Sequence, residues 1–153
     1  MKAAVLTVLL LLCVPTIVSA EPTPLKWPSH QDLARHLSDV SVYSAIGLDI
    51  LHSWRAPDQK RAFGCQAKRM LATVAVSELT KRIVHRERPD GSDHFSFFSE
   101  HTAMSMASSG WRYEVGVPVA VGAGYLRMAA HRHYLTDVIV GAGVGLLATR
   151  ICQ

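Results

Sequence analysis

The sequence predicts an all-α fold, a single bundle of about five to six helices. Three observations predict it. Apolar residues recur at steps of three or four through long segments. Clusters of proline, glycine and aspartate separate those segments. No segment shows the clear apolar–polar alternation of a half-buried strand, and there is no internal repeat.

Residues 1–20 read as a secretory signal peptide. Lys2 precedes an apolar run from about Ala3 to Val18, and Val18-Ser19-Ala20 is a small-x-small cleavage site. Cleavage after Ala20 would leave a chain that begins at Glu21, delivered across the inner membrane to the periplasm. A retained N-terminal anchor is the rival reading of the same run. Residues 21–28 hold Pro22, Pro24 and Pro28 and read as an extended leader. Residues 29–153 form one helical domain.

The first helix opens with Ser29 as N-cap and Asp32 at N3. Leu33, Leu37, Val40, Tyr43, Ile46 and Ile50 carry it to about Trp54. Ala56-Pro57-Asp58 is a turn. A second helix runs from about Gln59 to Val84, with Met70, Leu71, Val74, Val76 and Leu79 at its apolar positions. Pro89-Asp90-Gly91-Ser92-Asp93 is a loop. Ser99 to Trp111 is a third helix, with small or flexible apolar residues such as Ala103, Met104, Met106 and Ala107. Val115 to Ala130 is a fourth, with Pro118 tolerable only near its first turn. Val138 to Ile151 is the last. Its Gly141-x-Gly143-x-Gly145 run points to close helix–helix contact, at about 1 kcal/mol of helix propensity per glycine. Without a preceding strand that run is not a dinucleotide loop.

The 153-residue chain has a net charge of +4. Its Lys and Arg residues are dispersed and it has no nucleic-acid motif, so the basic excess reads as anionic-substrate chemistry plus a solvated surface. After signal removal Cys65 and Cys152 remain, either as one disulfide or as two buried thiols. A membrane span needs about 20 apolar residues. The run from Val115 is broken at Arg127 and the run from Val138 reaches Arg150, so both read as core helices, with peripheral membrane contact left open. Nothing in the sequence specifies an oligomeric state.

Three short motifs carry the chemistry: Lys81-x6-Arg88-Pro89, Ser99-Glu100-His101 and Arg127-x5-His133-x3-Asp137. They supply cations, a hydroxyl, two imidazoles and an orienting carboxylate, the set that phosphoryl transfer requires. Lys81 and Arg88 are two helical turns apart and can share one side of the second helix's end. Ser99 would cap the next helix, whose free N–H groups suit an anion, with His101 in the first turn. His133 and Asp137 are one turn apart on one helix, so the carboxylate can hold one ring nitrogen and leave the other as nucleophile. His85, Arg86 and Glu87 read as surface residues. The His131-x-His133 pair does not suit a metal, because side chains two apart on a helix diverge.

At these residues the chain resembles the type 2 phosphatidic acid phosphatase superfamily, which includes acid phosphatases and vanadium haloperoxidases. The family pattern is Lys-x6-Arg-Pro, then Pro-Ser-Gly-His, then Ser-Arg-x5-His-x3-Asp. The chain departs from it at Phe98, Glu100 and Leu126. In the family the glycine at the Glu100 position brings its backbone N–H to the phosphate; a glutamate there must turn its carboxylate away from the anion.

The resemblance implies a phosphatase acting on phosphate monoesters, on a lipid phosphate or pyrophosphate or on a small soluble phosphate. His133 would attack phosphorus and form a phosphohistidine, and His101 would protonate the leaving oxygen. Lys81, Arg88, Ser99, the Glu100 backbone and Arg127 would hold the phosphate. No metal or other cofactor is implied. Glu100 also motivates a catalytically degenerate phosphate-binding protein, and the same anion cradle serves a vanadate-dependent haloperoxidase.

Overall fold

The structure, a computed structural model, describes residues 30–152. The signal peptide, the leader and the Ser29 cap lie outside the described residues. Within them the protein is an all-α bundle of five α-helices with no strand. They are α1 (Gln31–Arg55), α2 (Gln59–Val84), α3 (Glu100–Ala107), α4 (Tyr113–Ala129) and α5 (Leu135–Ala148). Short 3-10 segments, Ser108–Trp111 and Thr149–Cys152, follow α3 and α5.

The short helix α3 is the centre, in contact with all four long helices. Its Thr102, Ala103, Ser105, Met106 and Ala107 are all buried. Phe97 and Phe98, joined by a cis peptide, pack edge to face at 6.2 Å just before it, and Val84, Val140 and Val144 close over them. Helix α5 approaches α3 through glycines, as expected from the sequence. A Cβ on Gly141 would lie 2.4 Å from the Ser99 carbonyl oxygen, and one on Gly145 would lie 2.2 Å from that of Ala103. Gly143 faces open space and does not share this role.

The long helices are packed with small and polar residues inward. Helix α1 buries Ala34, Ser38, Val42, Ala45, Asp49 and Ser53. Its apolar series turns mostly outward: Leu33, Leu37, Val40, Tyr43 and Ile50 are exposed, and Ile46 is half-buried. Helix α2 buries Gln66, Arg69, Thr73 and Ser77, while Leu71, Val76 and Leu79 are exposed. Close helix approach is the physical reason, because only narrow side chains fit around α3. Some of the buried polar groups pair with one another, as Arg69 does with Asp49 at 2.9 Å, and others donate to the main chain, as Thr73 does to the Arg69 carbonyl at 2.8 Å. Large apolar side chains are left on the outside, a distribution familiar from helices that meet lipid. One segment, Leu135–Cys152, is long and apolar enough to cross a membrane by length and composition.

Cys65 and Cys152 are joined as a disulfide, which settles the choice the sequence left open. It links α2 to the C-terminal 3-10 segment across 87 residues of sequence. Loop closure on that scale restricts the unfolded chain by about 4–5 kcal/mol in the chain-entropy account.

Candidate active site

Each motif is carried to the same end of the bundle by a chain reversal. Asp58 caps α2 by accepting the Arg61 N–H at 3.0 Å. Helix α2 stops at Val84 because His85 takes a left-handed conformation, φ 47°. Arg88 therefore lies in the loop beyond the helix, and Lys81 and Arg88 do not share a helix face as the spacing suggested. Pro89 disfavours α geometry at Arg88 and keeps the chain in that loop. The loop docks on the turn after α4: the Asp90 N–H donates to the His131 carbonyl at 3.1 Å, and Arg88 Nη1 donates to the Arg132 carbonyl at 3.1 Å. The Ser99 N–H donates to the Asp137 carbonyl at 3.0 Å, which joins the start of α3 to the start of α5.

His133 precedes α5 instead of lying on it, since the helix begins at Leu135 with Tyr134 as its cap. Its Nδ1 lies 2.6 Å from the Ser96 carbonyl oxygen. A carbonyl only accepts, so Nδ1 carries the proton and Nε2 carries the lone pair. Nε2 has no hydrogen bond among the described residues. Burial pushes the imidazole pKa down to about 4, against the pull of Asp137 and with help from Arg127 and Arg88. The ring is neutral at ordinary pH, as a nitrogen nucleophile must be.

Asp137 is not the direct hydrogen-bond partner of His133: the two lie 3.8 Å apart. As the N3 residue of α5, Asp137 turns its carboxylate back to accept the Tyr134 N–H at 2.9 Å. The Ser96 hydroxyl donates to that same oxygen, and Arg86 Nη1 donates to the other at 2.7 Å. Orientation passes instead from Arg86 to Asp137 to Ser96, whose carbonyl then holds His133. Arg86 is thus a buried residue, not a surface one. It also donates to Thr136 and lies over the Tyr134 ring at 4.2 Å.

Arg127 is buried in the last turn of α4. Its Nη1 reaches Ser38 at 3.5 Å and Asp39 at 3.8 Å, and its Nε has no hydrogen-bond partner among the described residues. Burial lowers its pKa to about 10, and Arg88 adds to this while Asp39 resists it. Arg127 stays charged at neutral pH with donor capacity unfilled at Nε, as Arg69 and Arg132 also have among the described residues, and of the three it is the one that depresses the pKa of both His133 and His101.

His101 Nε2 donates to Asp39 Oδ1 at 2.7 Å. Its pKa is lowered by burial and by Arg127, and raised in part by Asp39 and Glu100. Ser99 occupies the N-cap position of α3, but its side chain makes no cap bond. Its oxygen instead accepts the Thr102 hydroxyl at 3.0 Å in a fully buried setting. The Glu100 carboxylate points at Lys81 Nζ, which also reaches Glu78 at 3.1 Å, and accepts the Ser77 hydroxyl at 3.0 Å. Burial opposes ionisation of Glu100, yet Lys81 and Ser77 hold its pKa below the usual value. Glu100 therefore occupies a cation that the sequence pattern assigns to phosphate.

Asp39, Ser96 and Arg86 are site-building residues that motif reading did not select. Asp39 comes from α1, remote in sequence, and carries no local signal. Arg86 sits two residues before Arg88 and Ser96 three before Ser99, a proximity that offers only a weak hint. Comparison of the chain with protein-family models, with curated proteins and with solved structures gives no match.

Proposed function

We propose that this chain is a metal-independent phosphatase of the type 2 phosphatidic acid phosphatase kind, acting on phosphate esters through phosphohistidine at His133. One observation carries the reading: a buried guanidinium with unfilled donors, Arg127, shares a site with a neutral imidazole, His133, whose Nε2 is free of hydrogen bonds among the described residues. An oxyanion beside Arg127 would fill those donors, and phosphorus within it would meet Nε2. His133 attacks, and the leaving oxygen takes a proton from His101, whose Nδ1 remains once Nε2 holds Asp39. Water then cleaves the P–N bond, with His101 as base.

The test is hydrolysis of p-nitrophenyl phosphate by the chain from Glu21 onward, with EDTA present. Arg127→Lys is expected to lower kcat/KM about 100-fold, because a point charge replaces a planar fork at a buried site. Unchanged activity in that variant would put Arg127 outside the site.

The same groups set the pH profile. His133 must be neutral, which requires a pH above about 4. His101 must be protonated, which requires a pH below its own lowered value, itself under the ordinary 6.5. For a substrate with a poor leaving group, kcat/KM is expected to peak in that acid window and fall as pH rises beyond it. An optimum above about 7.5 would contradict His101 as the acid.

The Lys81–Glu100 pair favours a second reading, a phosphate-binding protein without turnover. It would retain phosphate or vanadate with no hydrolysis in the assay above. For location, we propose export to an oxidising compartment such as the periplasm, supported by the Cys65–Cys152 disulfide. The outward apolar residues of α1, α4 and α5 support contact with a membrane surface there.

A further inference from the structure

Every cation assigned to the phosphate cradle has a carboxylate beside it. Glu100 holds Lys81, Asp93 Oδ1 holds Arg88 Nε at 2.6 Å, and Asp39 lies 3.8 Å from Arg127. Glu78 also reaches Lys81, at 3.1 Å, so three positive charges have four carboxylates beside them. Glu100 differs from the others in its placement. It opens α3, adjacent in sequence to both Ser99 and His101, and it is anchored from α2 by Ser77 and Lys81 together. It holds Lys81, the cation that the sequence pattern assigns to a phosphate charge. A dianion entering this site must take Lys81 from Glu100, leaving that carboxylate without its cation, or lie beside the carboxylate while Lys81 is already engaged. A monoanion needs only Arg127.

We propose that Glu100 is a specificity-determining residue that restricts the site to phosphoryl groups bearing one negative charge, which are phosphate diesters and the singly ionised form of monoesters. The proposal rests on the phosphatase reading above. For a diester the steps balance as follows. The Nε2 lone pair of His133 forms a P–N bond, the P–O bond to one ester oxygen breaks, and that oxygen leaves as an alcohol with a proton from His101. Water then adds to phosphorus as the P–N bond breaks, His101 takes the water proton, and a monoester is released. At acid pH a monoester follows the same course and releases inorganic phosphate.

The experiment compares p-nitrophenyl phosphate with its methyl ester, methyl p-nitrophenyl phosphate, at about pH 7.5, where a phosphomonoester is mostly dianionic. Both have the same leaving group, and the ratio of their kcat/KM values cancels any titration of the enzyme itself. Wild type is expected to favour the singly charged methyl ester. Glu100→Gln keeps the shape and removes the charge, and it should raise the monoester-to-diester ratio at least about tenfold, as expected for one charge removed at close range. Glu100→Gly, which deletes the side chain, should move the ratio in the same direction and serves if the glutamine variant does not fold.

An equal loss on both substrates would mean that Glu100 only supports the fold, and the inference would fail. A wild-type preference for the dianion that neither variant alters would overturn it as well. No turnover of either substrate by folded wild type and folded variants would remove the phosphatase reading itself, and this inference with it. Turnover that is lost in His133→Ala but shows no charge preference would sink the inference alone.

Discussion

His133→Ala is expected to reduce hydrolysis of p-nitrophenyl phosphate by about 1,000-fold or more, the scale seen when a nucleophile is removed from a preorganised site. Two other candidate side chains in the site are already engaged. Ser99 is fully buried and its oxygen accepts from Thr102. His101 directs Nε2 to Asp39. His133 combines a ring held from one side by a main-chain carbonyl with a neutral state above about pH 4. Circular dichroism and urea unfolding must accompany the assay, since His133 is itself buried. A folded variant that retains more than about a tenth of the activity would remove His133 as the nucleophile.

The second large effect is on stability. Arg86→Met is expected to destabilise the protein by about 3–5 kcal/mol, because it strands the Asp137 carboxylate without its cation in a fully buried position. With an ordinary urea dependence for a domain of this size, the unfolding midpoint should fall by about 2 M. The loss should not come from packing alone. Methionine approximates the stem of arginine, so the charge is the main change. Adding Asp137→Leu to Arg86→Met should restore part of the stability, since a buried pair replaced as a whole is often neutral, while a half-pair is not. Activity should stay low in the double variant, because Ser96 loses its carboxylate acceptor and His133 loses its alignment. A midpoint unchanged in Arg86→Met would show that the pair does not hold this end of the bundle.

The helices were readable because apolar spacing marks a helix wherever its stripe faces. Which stripe faces inward was not readable. In α1 the inward residues are Ala34, Ser38, Val42, Ala45, Asp49 and Ser53, a set of mostly small side chains in which polar residues alternate with apolar ones, so that no strong apolar stripe marks the buried face. Their burial follows from how closely α3 and α4 approach, a tertiary fact. Helix α5 begins at Leu135, ahead of the Val138 that the apolar run predicts, for a related reason. Leu135 and Thr136 begin the helix because Asp137 caps back to Tyr134, and an aspartate three residues after a tyrosine is a weak start signal.

Among the candidate site residues, spacing brought out those that lie in motifs, and the fold brings the three motifs to one end. Their individual bonds were less legible. A spacing of four suggested a direct His133–Asp137 contact, which holds only when both residues lie on one helix. Here one residue precedes the helix, so Ser96 intervenes. Glu100 was recognised as a departure from the family pattern. Its capture of Lys81 depended on α2 lying alongside the start of α3, which no local pattern encodes.

The most direct test of the central claim is a rapid-quench experiment with p-nitrophenyl phosphate labelled at phosphorus, followed by peptide mapping of the protein. The account predicts a labelled peptide containing His133, with a phosphoryl bond that breaks in acid and survives base, and no such label in His133→Ala. Label on a serine, or turnover with no label on the His133 peptide at any quench time, would contradict it.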